Sequence, residues 1–365
     1  MVSTSILVVR FEEVGIDDVP IVGGKGASLG ELTRAGIPVP EGFVLTTHAF
    51  RQALTALDPD ASIEASIAGL HGDESGAIEE LTAQARERIA SATLSEDLDS
   101  AVRERYRALC AEVGADDAPV AVRSSATSED SADASFAGLQ ATYLWVQGEE
   151  QVVDAVRRCW ASLYSVESVT YRRRRALPED GLAMAVVVQR MVDARSSGVM
   201  FTRSPVTGDR SVVAVDASWG LGSAVVSGEV TPDSYVLSKI TGEVLRKTIA
   251  VKTVRDVPSA EGSGVRTEPV PDEIREAPAL ESPELAALLE IARKVERHYG
   301  CPQDIEWAVS ESAPVDQNIF LLQSRPETVW AEKESQPVAA PKDKAFDHVV
   351  SFLGAGSFRT DGEEK

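Results

Sequence analysis

Two apolar runs near the end of the sequence predict the paired strands of a β-hairpin. Residues 304–309 alternate acidic and apolar positions, and residues 319–329 open with an apolar run before polar residues enter. Alternation and a high content of β-branched or aromatic residues are typical of strands. The intervening residues 310–318 are rich in Ser, Pro, Asp and Asn, so the pattern predicts two strands joined by a polar loop.

Four polar side chains interrupt the apolar pattern of this hairpin. Period-2 geometry places Asp304 and Glu306 on one face of the first strand, and Gln323 and Arg325 together on a face of the second. Burying such groups is costly unless they pair with one another or hold a ligand. Carboxylate and amide oxygens suit Mg²⁺, and a guanidinium can fork onto a phosphate. A cross-strand salt bridge fits the same pattern, so the hairpin alone leaves both interpretations open.

The rest of the chain shows both helical and strand periodicity. Apolar or β-branched runs predict strands at residues 6–9, 42–46, 120–122, 185–192, 197–205 and 212–215, and a β-meander over 235–254. Amphipathic segments predict helices at residues 47–57, within 61–113, at 151–163 and at 285–299, and a further helix that ends at residue 175. Thr47 is predicted to cap the first of them. Residues 193–196 are predicted as a turn, and residues 258–283 as a surface excursion rich in Pro, Glu, Gly and Ser.

A glycine-rich segment precedes the first predicted helix. Gly23, Gly24, Lys25 and Gly26 lead directly into apolar residues at helical spacing, and the helix is predicted to end before Pro38. Free N–H groups at a helix start favour an anion, and glycine lets a phosphate approach the backbone. The spacing is not that of a Walker A loop, and a Gly-Gly pair before a helix is more often a simple turn. The segment alone is therefore weak evidence for a phosphate site.

A strand that ends in arginine leads into a run of small hydroxyl and acidic residues. Residues 120–122 deliver Arg123 to this loop, and Gly138 marks the return into a second strand that reaches residue 146. Such a loop cannot fill a core, but it suits a mobile lid that closes over phosphates while Arg123 supplies charge. A solvated hairpin loop is the alternative, and it leaves the arginine at the strand end unexplained.

Two further strand ends carry candidate ligand groups. The strand at residues 185–192 turns polar at Gln189, and its backbone at Met191 and Val192 can offer an N–H and a C=O to a purine edge, with the methionine side chain as an apolar wall. Arg203 ends the next strand and is a candidate phosphate ligand. Two glycine turns within residues 217–235 suggest another ligand loop, although they do not form a Rossmann fingerprint.

The charge balance restricts the partners of the chain. Lys and Arg total 36 against 58 Asp and Glu, a formal net charge of -22. Such a balance argues against nucleic acid and against an anionic membrane surface as partners, so any anion site must be built locally. The basic run at residues 172–175 ends a predicted helix, where a structural role is expected first and docking of an acidic partner second.

Length and cysteine content add two further expectations. A chain of 365 residues is long for one core, so two lobes or more are expected. Cys110, Cys159 and Cys301 have no C-x-x-C spacing and suggest neither a disulfide framework nor a zinc site. The longest uninterrupted apolar run, residues 182–188, is too short to cross a bilayer, so a cytoplasmic location is expected.

Five ordered blocks together resemble the ATP-binding domain of the phosphoenolpyruvate synthase, pyruvate phosphate dikinase and rifampicin phosphotransferase family. The matching blocks are residues 23–36, 122–146, 188–205, 219–235 and 304–329. The resemblance implies an α+β fold of the ATP-grasp type, in which two lobes bind the nucleotide between them. The predicted division is an N-terminal lobe at 1–190 with a lid at 123–142, a C-terminal lobe at 191–330 that carries the metal hairpin, and a linker and tail at 331–365.

The resemblance also implies roles for individual residues. In the family, the counterparts of Lys25, Arg123 and Arg325 hold the phosphates of ATP and stabilise the transferring group, and those of Glu306 and Gln323 bind Mg²⁺. The expected nucleotide-binding set also includes Gly138 and Thr142 on the covering loop, Gln189, Met191 and Val192 beside adenine, and Arg203 and Asp304.

The family chemistry implies a partner that bears a histidine. The family sends the β-phosphate of ATP to a histidine on a swivelling domain, which leaves AMP, and the phosphohistidine then phosphorylates a small-molecule acceptor. The Thr-Ser-His-Ala type motif of that domain is absent here, and His48, His71, His298 and His348 lack its context, so each is expected to be structural or exposed. The acceptor-binding domain is absent as well, so the acceptor is not expected to bind this chain alone.

Several identities remain compatible with this pattern. The chain is expected to be the ATP-binding subunit of a split enzyme, as in phenylphosphate synthase, with the histidine on another polypeptide. A truncated ATP-binding domain of a single-chain rifampicin phosphotransferase or phosphoenolpyruvate synthase is the competing explanation. An ATP-grasp ligase that releases ADP and a non-catalytic ATP-sensing module are the remaining alternatives.

Overall fold

The structure is a computed structural model that describes residues 6–70, 75–127, 130–131, 134–135, 141–175, 177–179, 181–260, 262–314, 317–328 and 330. The elements given below all belong to the unit that ends at Glu327. Gly138, His71, His348, part of the predicted lid, and the predicted linker and tail at 331–365 lie outside the described residues.

Helices and strands are mixed along the described chain, which confirms the α+β class. The strands are β1 (Val8–Arg10), β2 (Gly42–Leu45), β3 (Val120–Ala126), β4 (Asp130–Ser131), β5 (Ala134–Ser135), β6 (Thr142–Val146), β7 (Met184–Arg190), β8 (Ala194–Phe201), β9 (Val212–Trp219), β10 (Asp233–Ser238), β11 (Val244–Thr248), β12 (Val254–Pro258), β13 (Val265–Pro269), β14 (Gln303–Ser310) and β15 (Ile319–Pro326). The α-helices are α1 (Val19–Arg34), α2 (Thr47–Leu57), α3 (Ser62–Ala68), α4 (Ser75–Ala90), α5 (Glu96–Val113), α6 (Glu149–Ser162), α7 (Val166–Arg174), α8 (Ser223–Val226) and α9 (Ser282–Tyr299).

The first sheet is covered by helices on both faces. Its strand order is β1-β2-β7-β3-β6, and every neighbouring pair is antiparallel. Alternation along β7 directs its side chains into two cores. Val186 and Val188 pack into a core with helices α2 to α7, whereas Ala185 and Val187 pack with α1. This double burial explains why β7 reads as an unbroken apolar run.

The second sheet is packed on one face by helix α9. Its strand order is β11-β10-β9-β8-β14-β15, again with antiparallel neighbours. Leu288 of α9 shares a core with Met200, Ile305 and Trp307 of the sheet. Because side chains alternate along β14, Glu306 lies on the face opposite to this core.

Helix α1 differs from its prediction in where it begins. It starts at Val19 rather than behind the glycine-rich segment, so that segment lies inside the helix. Gly23, with φ 68° and ψ 174°, interrupts the helical conformation and divides α1 into two parts. The second part begins directly behind Gly23, and Lys25 lies in its first turn. The predicted helix start behind a glycine is therefore present, as a kink within a longer helix.

Three other local predictions are wrong in detail. Thr46, rather than Thr47, caps α2, because its side-chain oxygen accepts a hydrogen bond from the Ala49 N–H at 3.3 Å. The predicted turn at 193–196 is shorter, since β8 begins at Ala194, and it connects two different sheets. The predicted meander stops after β11, because β12 pairs with β13 in a separate hairpin, and the predicted surface excursion therefore contains a strand.

Members of the basic run and His298 make internal contacts. Arg172 is buried and forms an ion pair with Glu179 at 2.9 Å, so this member of the basic run is not solvated. His48 lies on α2, and His298 lies in the last turn of α9 with its Nε2 2.7 Å from Glu31 Oε1. Arg172 and His298 therefore connect separate segments of the chain.

The three cysteines are free thiols. Cys110 and Cys159 are buried free thiols, and Cys301 is a partly exposed free thiol. No helix in the described part of the chain is both long and apolar enough to cross a membrane.

Candidate functional site

A cavity of about 380 Å³ lies between one end of the first sheet and the second sheet. Its walls come from β3, β6, β7, β8, β14 and β15 and from residues 191–192 and 221–227. The structure brings six of the predicted site residues to these walls: Arg123, Thr142, Gln189, Met191, Val192 and Glu306. They belong to sequence blocks that are far apart, so the fold assembles the cavity from distant segments.

The predicted hairpin is present, with the pairing that its pattern indicates. Strands β14 and β15 pair antiparallel, so that Asp304 is opposite Arg325 and Glu306 is opposite Gln323. A β-bulge follows Glu306. The Arg325 Nη2 lies 2.8 Å from the Asp304 Oδ2, so one pair forms the cross-strand salt bridge that the sequence left open. Glu306 and Gln323 have a different partner.

That partner is Arg123, which reaches the hairpin from β3. Its Nη2 donates to the Glu306 Oε2 at 3.0 Å and to the Gln323 Oε1 at 2.6 Å, and its Nη1 donates to the Leu322 carbonyl oxygen at 3.1 Å. The Arg123 side chain is only 12% exposed. One predicted phosphate ligand thus contacts both predicted magnesium ligands across more than 180 residues of sequence.

Asp304 lies beside this cluster in a desolvated position. Burial raises the pKa of the Asp304 carboxyl, and the charge and hydrogen bond of Arg325 oppose that rise. The nearby carboxylates of Glu306 and Glu327 raise the pKa of Asp304 further. The hairpin therefore concentrates negative charge that a cation would relieve.

The kink in α1 is fixed by β3, the strand that also carries Arg123. The Ser125 hydroxyl donates to the Val22 carbonyl oxygen at 2.8 Å and accepts from the Gly26 N–H at 3.1 Å. Gly23 packs so closely here that a Cβ would lie 2.1 Å from the Ser125 carbonyl oxygen. Its positive φ and this close approach both require glycine. The glycine-rich segment is therefore anchored two residues from Arg123.

Lys25, in the turn behind Gly23, lies near Cys159 of α6. Burial raises the pKa of the Cys159 thiol to about 12, and the charge of Lys25 acts to lower it, so the two groups lie within electrostatic range. The Cys159 Sγ in turn lies 3.6 Å from the Val122 carbonyl oxygen, next to Arg123 in the sequence. Lys25 is half-buried and makes contacts of its own.

The same cavity also offers groups suited to a heteroaromatic base. Gln189 is 2% exposed, and its Nε2 makes no hydrogen bond to another described residue although the residue lines the cavity. An unpaired buried amide is costly, so a ligand acceptor at this position would stabilise it. The Met191 N–H is already donated to the Pro119 carbonyl oxygen at 2.8 Å. The Val192 N–H and C=O bond to no other described residue, so of the backbone groups predicted for a purine edge the Met191 N–H is occupied and the two groups of Val192 are open.

Some predicted site residues are placed away from the cavity wall. Arg203 donates from its Nε to the Gly208 carbonyl oxygen at 2.8 Å, within its own loop, and the structure does not bring it to the cavity. Lys25, Asp304, Gln323 and Arg325 also lie outside the wall residues. Gln323 connects to the cavity through Arg123, and the Asp304–Arg325 pair lies two positions further along the hairpin from Glu306–Gln323. Gly138 lies outside the described residues.

Several wall residues were not singled out from the sequence. Gly198 on β8 is one, since a Cβ there would lie 1.9 Å from the Asp216 carbonyl oxygen. Glycine inside a strand is a signal for such close approach, and it could have identified this position. Ser197 also lines the cavity, with its hydroxyl donated to the Gly220 carbonyl oxygen at 2.6 Å. Ser223 has no distinctive sequence signal.

The hairpin oxygens fit a magnesium ion whose other ligands are water molecules and phosphate oxygens. Among the described residues, no group of three or more His, Cys, Asp and Glu side chains could hold a metal on its own. Mg²⁺ bound with nucleotides commonly takes only one or two protein oxygens. Glu306 and Gln323 offer such a pair, and the Arg123 guanidinium already places positive charge on it. The donor set therefore suits a hard cation that arrives with phosphates.

Comparison with known proteins places these residues in a family context. The sequence matches the family model described as "Pyruvate phosphate dikinase, AMP/ATP-binding domain" over residues 19–345. It is 42% identical over 355 residues to a probable phosphoenolpyruvate synthase of Methanothermobacter thermautotrophicus, covering 97% of this chain and 50% of that protein. It is 37% identical over 382 residues to the phosphoenolpyruvate synthase of Pyrococcus furiosus, covering 94% of this chain and 46% of that protein.

A third relative also matches nearly the whole chain but is a longer protein. The probable phosphoenolpyruvate synthase of Methanocaldococcus jannaschii is 38% identical over 344 residues, which are 94% of this chain and 28% of that protein. The chain therefore spans half the length, or less, of these curated relatives.

Proposed function

Because the chain belongs to the pyruvate phosphate dikinase AMP/ATP-binding domain family, we propose that it binds ATP with Mg²⁺ and transfers a phosphoryl group to a histidine on a swivelling domain. The nucleotide lies in an ATP-grasp fold, between an N-terminal lobe at 1–190 and a C-terminal lobe at 191–330. The change of sheet between Arg190 and Ala194 supports that division. The proposed activity is that of a dikinase-type phosphotransferase component.

One observation carries the proposal: Arg123 joins Glu306 and Gln323 at a cavity that the unpaired amide of Gln189 also lines. A positive group beside metal-binding oxygens suits a polyphosphate, and an unpaired amide suits a base. The presence of both features in one cavity favours a ligand with both parts. A nucleoside triphosphate has that chemistry.

The residues of the chain have distinct roles in this proposal. Gln189 and Val192 hydrogen-bond the adenine edge, and Met191 provides an apolar wall. Lys25, Arg123 and Arg325 bind the phosphates and stabilise the charge that develops during transfer, as in phosphoryl transfer generally. Glu306 and Gln323 hold Mg²⁺, with Asp304 behind them, and the ion when bound neutralises phosphate charge. The helix start behind Gly23 presents backbone N–H groups to the same anion.

The proposed reaction uses a nucleophile from outside residues 1–365. The bond between the α- and β-phosphates breaks as a bond forms from the β-phosphorus to a histidine nitrogen. AMP leaves with the α-phosphate, and water removes the γ-phosphate as inorganic phosphate. The β-phosphate on the histidine then passes to a small-molecule acceptor. The carrier histidine lies either on a separate chain or on a further part of a longer one, and the greater length of the curated relatives favours the second form.

The product nucleotide tests this function. The chain is mixed with Mg²⁺, ATP labelled in the β-phosphate, and a purified histidine-bearing domain from a phosphoenolpyruvate synthase. We expect AMP to form only when that domain is present, with the label on its histidine. The same domain with its histidine replaced by alanine is the matched control and should give no AMP.

Two results would contradict the proposal. ADP as the nucleotide product, with an acyl phosphate formed, would identify a ligase instead. Tight ATP binding without any transfer, unaffected by Glu306→Ala, would identify a non-catalytic sensing module.

A further inference from the structure

The guanidinium of Arg123 occupies the oxygen atoms that the proposed function assigns to the metal. Its Nη2 contacts the Glu306 Oε2 at 3.0 Å and the Gln323 Oε1 at 2.6 Å. We infer that Arg123 makes the metal site selective for a divalent cation–nucleoside polyphosphate complex over the free cation. This inference rests on the proposed function and specifies the form in which its substrate enters.

A cation and the guanidinium cannot use these oxygens in the same way at once. A side-chain amide has one oxygen, and the Oε1 of Gln323 already accepts from Arg123. A magnesium ion needs its ligands at about 2.0–2.1 Å, where it would repel an adjacent positive group strongly. Electrostatic repulsion therefore opposes binding of the metal by Glu306 and Gln323 while Arg123 remains on the same oxygens.

Release of Arg123 is unfavourable when nothing replaces its partners. The side chain is 12% exposed, and its Nε has no hydrogen-bond partner among the described residues. The guanidinium contacts Glu306, Gln323 and the Leu322 carbonyl oxygen. If a bare cation displaced it from the two side chains, only the Leu322 contact of these three would remain. An uncompensated, largely buried charge is strongly disfavoured.

A polyphosphate removes this cost because it supplies acceptors for the released guanidinium. Phosphate oxygens accept forked hydrogen bonds from arginine. When cation and polyphosphate arrive together, Arg123 exchanges carboxylate and amide oxygens for phosphate oxygens, and the cation takes the vacated ones. Cation and nucleotide therefore strengthen each other's binding, by a factor in the usual range for coupled sites of about 5- to 150-fold.

Manganese binding without nucleotide measures, without any turnover, how strongly Arg123 opposes the free cation. Mn²⁺ serves as the probe because its free form is counted directly by electron paramagnetic resonance. Wild type, Arg123→Gln and the charge-matched control Arg103→Gln are titrated with Mn²⁺ in the absence of nucleotide. Arg103 lies on α5, where it pairs with Asp99 and Glu150, and it does not line the cavity.

We expect Arg123→Gln to bind Mn²⁺ at least about fivefold more tightly than wild type, whereas Arg103→Gln matches wild type. Adding Glu306→Gln to the Arg123→Gln protein should remove the gain, which would locate the metal on the hairpin. Arg123→Lys keeps the positive charge but cannot fork onto both oxygens. A partial gain in Mn²⁺ affinity in this variant would separate the effect of occupying the oxygens from the effect of the charge. Arg123→Lys is also the second variant should Arg123→Gln fail to fold.

The inference is overturned if wild type binds Mn²⁺ without nucleotide as tightly as both Arg123 variants do. A gain that survives Glu306→Gln overturns it too. Failure of the proposed function has a different signature, since wild type would then bind no non-hydrolysable ATP analogue in calorimetry with Mn²⁺ present. The Mn²⁺ titrations without nucleotide are independent of that result.

Discussion

Replacing Glu306 with alanine is expected to lower phosphoryl transfer to the histidine-bearing domain by about three orders of magnitude. The variant loses a carboxylate that the account gives two roles, as a magnesium ligand and as a partner that positions Arg123. Neither role is needed for folding, because the Glu306 side chain is partly exposed and lies opposite to the α9 core. The rate of AMP formation with saturating carrier domain measures the effect.

A matched control separates this effect from a general loss of acidic charge. Glu290→Ala removes an exposed carboxylate of α9 that pairs with Arg293 and does not line the cavity. It should leave the rate within a factor of about two, since such surface pairs contribute little. Equal turnover by Glu306→Ala and Glu290→Ala would remove Glu306 from the site.

Replacing Lys252 with methionine is expected to reduce the free energy of unfolding by about 3–5 kcal/mol. Lys252 and Asp233 are both fully buried, with the Lys252 Nζ 2.6 Å from the Asp233 Oδ1. The same carboxylate accepts the N–H groups of Ala250 at 2.9 Å and Ala279 at 2.8 Å. Without the lysine, the Asp233 carboxylate is buried among three chain segments with no cation to balance its charge. Burying an unbalanced charge lowers the stability of the folded state.

Urea denaturation at constant slope measures this loss. The exposed pair Arg103–Glu150 provides the comparison, and Glu150→Ala should cost about 0–1 kcal/mol. The buried-pair explanation is wrong if Lys252→Met unfolds at the same urea concentration as Glu150→Ala. Partial recovery by Asp233→Asn in the Lys252→Met background would confirm that the unpaired charge causes the loss.

The hairpin was predictable from sequence because its information is local. Period-2 alternation assigned Asp304 and Glu306 to one face, and the observed pairs with Arg325 and Gln323 follow from antiparallel pairing across the loop. The α1 kink was only partly predictable. The glycines indicated a special backbone, but the conformation of Gly23 depends on Ser125, about 100 residues away.

Contacts between distant segments were beyond the reach of the sequence patterns. The resemblance assigned Arg123 to phosphates and Glu306 to a metal, but nothing in the pattern indicated that the two side chains touch. Strand-end position alone also misled, because Arg203 is held by the Gly208 carbonyl oxygen of its own loop. Similarly, the Met191 N–H donates to the carbonyl oxygen of Pro119, which directly precedes β3.

The central claim is that one cavity holds a metal–nucleotide complex between Gln189 and the hairpin. A crystal grown with Mn²⁺ and a non-hydrolysable ATP analogue tests it most directly, because the manganese is located by its anomalous scattering. The account predicts a manganese peak bound by Glu306 and Gln323, with the triphosphate on Lys25, Arg123 and Arg325 and the adenine beside Gln189. A triphosphate bound away from these residues, or a manganese peak remote from Glu306, would contradict it.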